Sequence, residues 1–156
     1  ISPDFVGLSF EMQYVLPVTN GAHFLSPPHT PLIATFKTLG IKSLRVGGNT
    51  ADRPTIPTPN IADVDSLFAF AKAAHVKVLL VGMKAQRNLG ADYVKQFDGI
   101  YPRLAKDYGV LFYPFMLDGV ALNPKLNQAD GMHPNPAGVK IIVERMLPLV
   151  KKLAEP

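Results

Sequence analysis

The chain of 156 residues is 47% hydrophobic and 18% charged, proportions that fit one globular domain with a sizeable core and exclude a disordered chain. Its formal net charge of +4 comes from 16 Lys and Arg spread without a run longer than two, the pattern of a solvated surface, so no nucleic-acid partner is expected. There is no cysteine for a disulfide or thiolate metal site, and no window of about 18 uninterrupted apolar residues, so no membrane span is expected.

In chain order the pattern is a repeating βα rhythm. "FVGLSFEMQYV" (5–15) reads as a first strand and its exit. "SLRVGG" (43–48), "VKVLLVGM" (76–83) and "VLFYPFM" (110–116) are short apolar runs ended by Gly or Pro. Continuous apolarity predicts parallel strands buried on both faces. Between the first two, Thr30 caps a helix with Pro31 in its first turn, Leu32, Ile33, Phe36 and Leu39 inward, and a stop at Gly40. The next helix places Val64, Leu67, Phe68 and Ala71 on one face. A third carries Tyr93, Phe97, Ile100, Tyr101 and Leu104, an aromatic stripe whose spacing means core, with a kink expected at Pro102. Asn135 and Pro136 open the last, with Val139, Ile142, Val143, Met146 and Val150 as its apolar stripe and a bend expected at Pro148. The sum is a single α/β domain over 1–156, a (βα)4 fold with four parallel strands in the order 1-2-3-4.

Fifteen prolines is roughly twice ordinary usage, and they gather in "LSPPHTP" and "DRPTIPTPN", after the first and second strands, on the side where α/β ligand sites form. "DGMHPNP" (130–136) holds Asp130 and His133 three apart, a spacing at which a carboxylate orients an imidazole as a general base. Such a base needs a nucleophile, and the serines are Ser2, Ser9, Ser26, Ser43 and Ser66, none in the half that holds the base. The plainer reading is a turn at Asp130 and Gly131 with His133 in an ordinary loop. His23, His29 and His75 show no metal-ligand spacing, so no metal or cofactor is expected. "RVGGNTAD" lacks the spacing and the lysine of a phosphate loop.

From about Val76 onward the chain resembles the C-terminal half of SGNH (GDSL-type) hydrolases of the arylesterase and thioesterase I kind, with "NQADGMHPN" similar to that family's last signature block. The resemblance implies a flavodoxin-like fold, hydrolysis of esters and thioesters without a metal, and Asp130 and His133 as triad acid and base. "GLS" places Ser9 where that family has its G-D-S serine, with Leu8 in place of the aspartate. "GGNT" offers Asn49 for the oxyanion hole, and the family's further oxyanion glycine has no counterpart.

Residues 1 to about 80, through "ISPDFVGLSFEMQYV", "LIATFKTLGIKSLRVGGNTADRP" and "LFAFAKAAHVKVLL", resemble the opening βαβαβ of a (β/α)8-barrel glycoside hydrolase of the β-glucuronidase and heparanase-like kind. That resemblance makes Glu11, at a strand mouth, a remnant sugar contact. The only other glutamates are Glu144 and Glu155, so the two carboxyl groups of a glycosidase are not assembled. Together the resemblances suggest an engineered or recombinant chimera, a barrel-derived fragment (~1–80) joined to an SGNH-derived one (~81–156), without efficient natural activity. The alternative is a weak SGNH-type esterase using Asp130, His133 and Ser9. A four-stranded sheet with sparse cover and an open edge predicts a homodimer. The chain is expected to be soluble, its parents secreted or periplasmic bacterial enzymes. It begins without methionine and without a signal-peptide pattern, as a trimmed, secreted or engineered start would each give.

Overall fold

The computed structural model describes residues 7–18, 20–41, 43–47, 55, 57 and 59–155, with the backbone alone at 7–9, 11, 12, 43–45 and 47. The chain divides into two compact units, Ile1–Val78 and Leu79–Pro156.

In the first unit, β1 (Gly7–Glu11) passes through a 3-10 turn (Met12–Val15) and a long loop to α1 (Thr30–Thr38), β2 (Ser43–Gly47) and α2 (Ile61–Ala73). The strands pair in parallel, Gly7 opposite Ser43 through Glu11 opposite Gly47. Pro31 sits in the first turn of α1, where no N–H is needed, but the N-cap is His29, not Thr30, and its side chain makes no capping bond. The helix stops in a Schellman arrangement: Gly40, at φ +60°, donates to the Lys37 carbonyl and Ile41 to the Phe36 carbonyl. Leu39 therefore belongs to the cap and is 56% exposed, whereas the sequence pattern turned it inward; Ile41 occupies the core instead. Helix α2 begins with a reciprocal capping box, Asn60 accepting from the backbone of Ala62 and Asp63 while the Asp63 carboxylate accepts from Asn60 N–H. Its buried apolar residues are Phe70 and Ala71, and Phe70 takes the place the pattern gave to Phe68. The core gathers Leu25, Ile33, Phe36, Ile41, Phe70, Ala71, Ala74 and Val76, with the Phe36 and Phe70 rings edge-to-face at 5.2 Å.

In the second unit, β3 (Leu79–Val81) is followed by a 3-10 turn (Arg87–Leu89), α3 (Ala91–Tyr108), β4 (Leu111–Tyr113) and α4 (Pro136–Ala154). Leu79 to Val81 pair in parallel with Leu111 to Tyr113. Both helices pack against both strands. Gly82 permits the strand ends to close together, because a Cβ there would lie 2.4 Å from the Pro114 carbonyl oxygen. Helices α3 and α4 run on through Pro102 and Pro148, so neither proline ends its helix.

Two apolar stripes are corrected. Tyr93, Phe97 and Tyr101 do form a ladder, with ring centroids 5.9 Å apart at each step, but Tyr93 is half exposed. The stacking is satisfied along the helix itself, so helical spacing alone did not mean core. On α4 the buried positions are Gly138 and Ile142, whereas Val139 and Val143 face solvent. The close approach at Gly138 turns that helix edge inward. The architecture is α/β, built of parallel βα units. The pairings seen are β1 with β2 and β3 with β4; the continuous order 1-2-3-4 is not shown by them.

Candidate functional site

The loop between β4 and α4 is built to present one tip. Val120 is fully buried and anchors it. The amide of Asn127, itself buried, donates to the carbonyls of Val120 and Asn123, both at 2.8 Å. Helix α4 presses on the same loop at Gly138, where a Cβ would lie 2.2 Å from the Leu126 carbonyl oxygen. Beyond Asn127 the chain doubles back in a short hairpin-like turn. Asn127 and Pro134 form an antiparallel bridge, Gln128 N–H donates to the His133 carbonyl at 2.7 Å, and Gly131, at φ +71°, closes the bend.

Asp130 and His133 stand at this tip, side by side. Oδ1 of Asp130 accepts the backbone N–H groups of Met132 at 2.9 Å and His133 at 3.0 Å, and Oδ2 meets His133 Nδ1 at 2.6 Å. The backbone N–H of His133, then its ring, then the N–H of Met132 hold the Asp130 carboxyl down at about 2. Asp130 is therefore a carboxylate at neutral pH and only an acceptor, so His133 Nδ1 carries the proton between them. In the neutral ring that assignment leaves the lone pair on Nε2, and no side chain or backbone group among the described residues bonds to that atom. An imidazole held in that tautomer by a carboxylate can accept a proton at Nε2, and the carboxylate stabilises the imidazolium that results. The His133 side chain is 69% exposed, open to an incoming group.

The structure thus brings Asp130 and His133 together as the sequence spacing predicted. Ser9 is placed by its backbone, in β1 opposite Arg45, and Glu11 ends the same strand opposite Gly47. Asn49 lies outside the described residues. Among the described residues no group of three or more His, Asp or Glu side chains is arranged to hold a metal ion.

A second histidine–carboxylate pair escaped the sequence reading. His23 Nε2 lies 2.6 Å from Asp63 Oδ1, and the Asp63 side chain is 3% exposed. Burial pushes the Asp63 carboxyl up, but the His23 hydrogen bond, the Asn60 N–H and the charge of His23 outweigh it and leave it below its ordinary value. Because Asp63 also belongs to the α2 capping box, this pair ties the loop before α1 to the start of α2. The two residues are 40 positions apart, so no local motif announces them.

No family model matches the chain. It is 35% identical over 92 residues to the thioesterase 1/protease 1/lysophospholipase L1 of Escherichia coli (strain K12), covering 59% of this chain and 44% of that protein. It is 32% identical over 110 residues to the esterase TesA of Pseudomonas aeruginosa, covering 70% of this chain and 55% of that protein. A crystal structure of TesA matches the fold with a TM-score of 0.61 at 29% identity, over 80% of this chain and 70% of that one. The chain spans about half the length of the curated relatives it matches. These matches support homology with TesA-like SGNH esterases and an α/β fold. The likeness of residues 1 to about 80 to a barrel glycosidase, and with it the reading as an engineered chimera, finds no support. None of these relatives is a glycosidase, and a match of 110 residues exceeds the stretch from Val76 to the C-terminus, so it takes in part of the first half.

Proposed function

We propose that Asp130 and His133 are the acid and base of an SGNH-type hydrolase acting on carboxylic esters or thioesters. The observation that carries the reading is the 2.6 Å contact between His133 Nδ1 and an Asp130 carboxylate fixed by two backbone N–H groups, in a chain homologous to TesA-like esterases. In the proposed reaction Nε2 of His133 takes the proton of a serine hydroxyl as its oxygen attacks the acyl carbon. The imidazolium then returns the proton to the departing alcohol or thiol, and water releases the acyl group by the same steps. Ser9 is the proposed nucleophile, and Asn49 the proposed oxyanion donor. Since loss of one oxyanion donor costs on the order of a hundredfold or more, the absent glycine counterpart makes the expected turnover slow.

The test is hydrolysis of a p-nitrophenyl ester by the chain, by His133→Ala and by Ser9→Ala. A rate lost in both variants supports the reading. Equal rates in the chain and His133→Ala mean that the imidazole does no chemistry, and a rate lost only with His133 leaves the base but removes Ser9 from the mechanism.

A further inference from the structure

All four hydrogen-bonding sites of the Asn135 side chain are in use. Its Oδ1 accepts the N–H groups of Ala137 at 3.0 Å and Gly138 at 3.1 Å, which caps α4. Its Nδ2 donates to the carbonyls of Lys125 at 2.9 Å and Asn127 at 3.3 Å. The orientation of the amide is fixed by chemistry, since two donors lie on one side and two acceptors on the other. We infer that Asn135 is a positioning residue for the base: it fastens the Asp130–His133 turn to the first turn of α4 and so fixes where His133 stands.

Capping alone does not explain an asparagine. Serine, threonine or aspartate would satisfy the Ala137 and Gly138 N–H groups as well. What those residues lack is the pair of donors aimed at 125 and 127, the segment that lies across from 133–135 in the hairpin-like turn. That turn is otherwise joined across its strands by the Asn127–Pro134 bridge, whose two bonds run from the Gln128 N–H to the His133 carbonyl and from the Asn135 N–H to the Leu126 carbonyl, and by the Gln128 side chain donating to the Pro134 carbonyl. Asn127 in turn grips Val120 and Asn123. The connection therefore runs from a long helix through the Asn135 amide to the buried anchor of the loop, and His133 hangs from it two residues away. Among the described residues the Asp130 side chain bonds only within the tip, to Met132 and His133, so it orients the ring without anchoring the turn.

The inference rests on the esterase reading for its kinetic measurement and stands apart from it for its spectroscopic one. Asn135→Asp keeps the cap and removes both donors, setting a carboxylate against two carbonyls. Asn135→Ala removes cap and donors together. In Asn135→Asp, far-UV circular dichroism is expected to stay that of the parent, while kcat on p-nitrophenyl acetate falls on the order of tenfold or more with KM within about twofold, the signature of a displaced catalytic group. The ring-nitrogen chemical shifts of His133, read by NMR, should move from a single Nδ1-protonated form toward a tautomer mixture. Asn135→Ala should show the same kinetic and NMR changes and in addition a lower melting temperature. If Asn135→Asp retains the parent kcat and ring shifts while Asn135→Ala loses stability, Asn135 is a helix cap only and the inference is overturned. If the parent has no His133-dependent turnover, the esterase reading fails, and the His133 ring shifts of the two variants still decide the positioning role.

Discussion

Two glycines in helices make opposite predictions for one substitution. Gly138 lies in the first turn of α4, and a methyl group built there sits 2.2 Å from the Leu126 carbonyl oxygen, 3.0 Å from Val120 Cγ1 and 3.2 Å from the Leu126 carbonyl carbon. An ordinary carbon–oxygen contact is about 3.5 Å, so helix and loop must part by roughly 1 Å. Overpacking of this kind typically costs 1–3 kcal/mol, and the displaced Leu126 carbonyl also accepts the Asn135 N–H at 2.9 Å, a bond worth about 1 kcal/mol. Against this stands the helix preference of alanine over glycine, about 1 kcal/mol in a helix interior and less in its first turn. The net expectation for Gly138→Ala is a loss of about 2 kcal/mol, a fall of about 8–16 °C in the melting temperature of a unit the size of Leu79–Pro156. Gly99, in α3, has no atom within 4 Å of the same built methyl, so Gly99→Ala carries only the helix preference and should raise the melting temperature by a few degrees. Differential scanning calorimetry on both variants and the parent reads the two signs. If Gly138→Ala stabilises as much as Gly99→Ala, the approach of α4 to the loop is looser than described, and the support argued for the Asp130–His133 turn falls with it.

Other substitutions test other bonds. In Asp130→Asn the amide oxygen retains the two backbone N–H groups and turns its NH2 toward His133 Nδ1, which drives the ring proton to Nε2; the His133-dependent rate should fall on the order of 10³–10⁴-fold, checked on the same p-nitrophenyl ester. His23→Ala leaves the buried Asp63 without its side-chain partner and should cost about 1–3 kcal/mol by urea denaturation at pH 7. The folded Asp63 carboxyl lies below its ordinary value of 3.8, so its contribution is complete above that pH and lost as pH falls through the lower folded value; the gap between parent and His23→Ala should narrow only below pH 3.8. A gap already closed at pH 5 would show that Asp63 does not carry it. Pro102→Ala restores a helix donor at an exposed position of α3 and should raise the melting temperature, and a decrease would mean that the proline ring makes packing α3 requires.

Local signals in the sequence carried much of this fold. "NP" before an apolar run marked the start of α4, Pro31 the start of α1, and a three-residue spacing the Asp130–His133 pair, because each is decided within one turn of chain. Facing was harder to read. Leu39 and Ile41 are both apolar, and which one is buried depends on where a Schellman ending reverses the chain. Phe68 and Phe70 differ only by which edge of α2 meets Phe36. On α4 the closest approach falls at a residue with no side chain, so an apolar stripe could not reveal it. Contacts between distant positions, His23 with Asp63 and Asn127 with Val120, left no periodic trace at all. The supporting asparagines of the candidate site belong to this class: Asn135 was legible as a cap, but its two donations were not.

Met132 sits between Asp130 and His133, yet what it gives the pair is its amide hydrogen, and the residue is 60% exposed. The residue nearest the proposed chemistry is therefore, in its side chain, chemically uncommitted. Position 132 is open to a reporter or a new recognition element: Met132→Cys would carry a thiol-reactive probe beside His133 while the backbone that holds Asp130 stays intact, and a library at this one codon would vary what meets a group approaching the ring without rewriting Asp130 or His133.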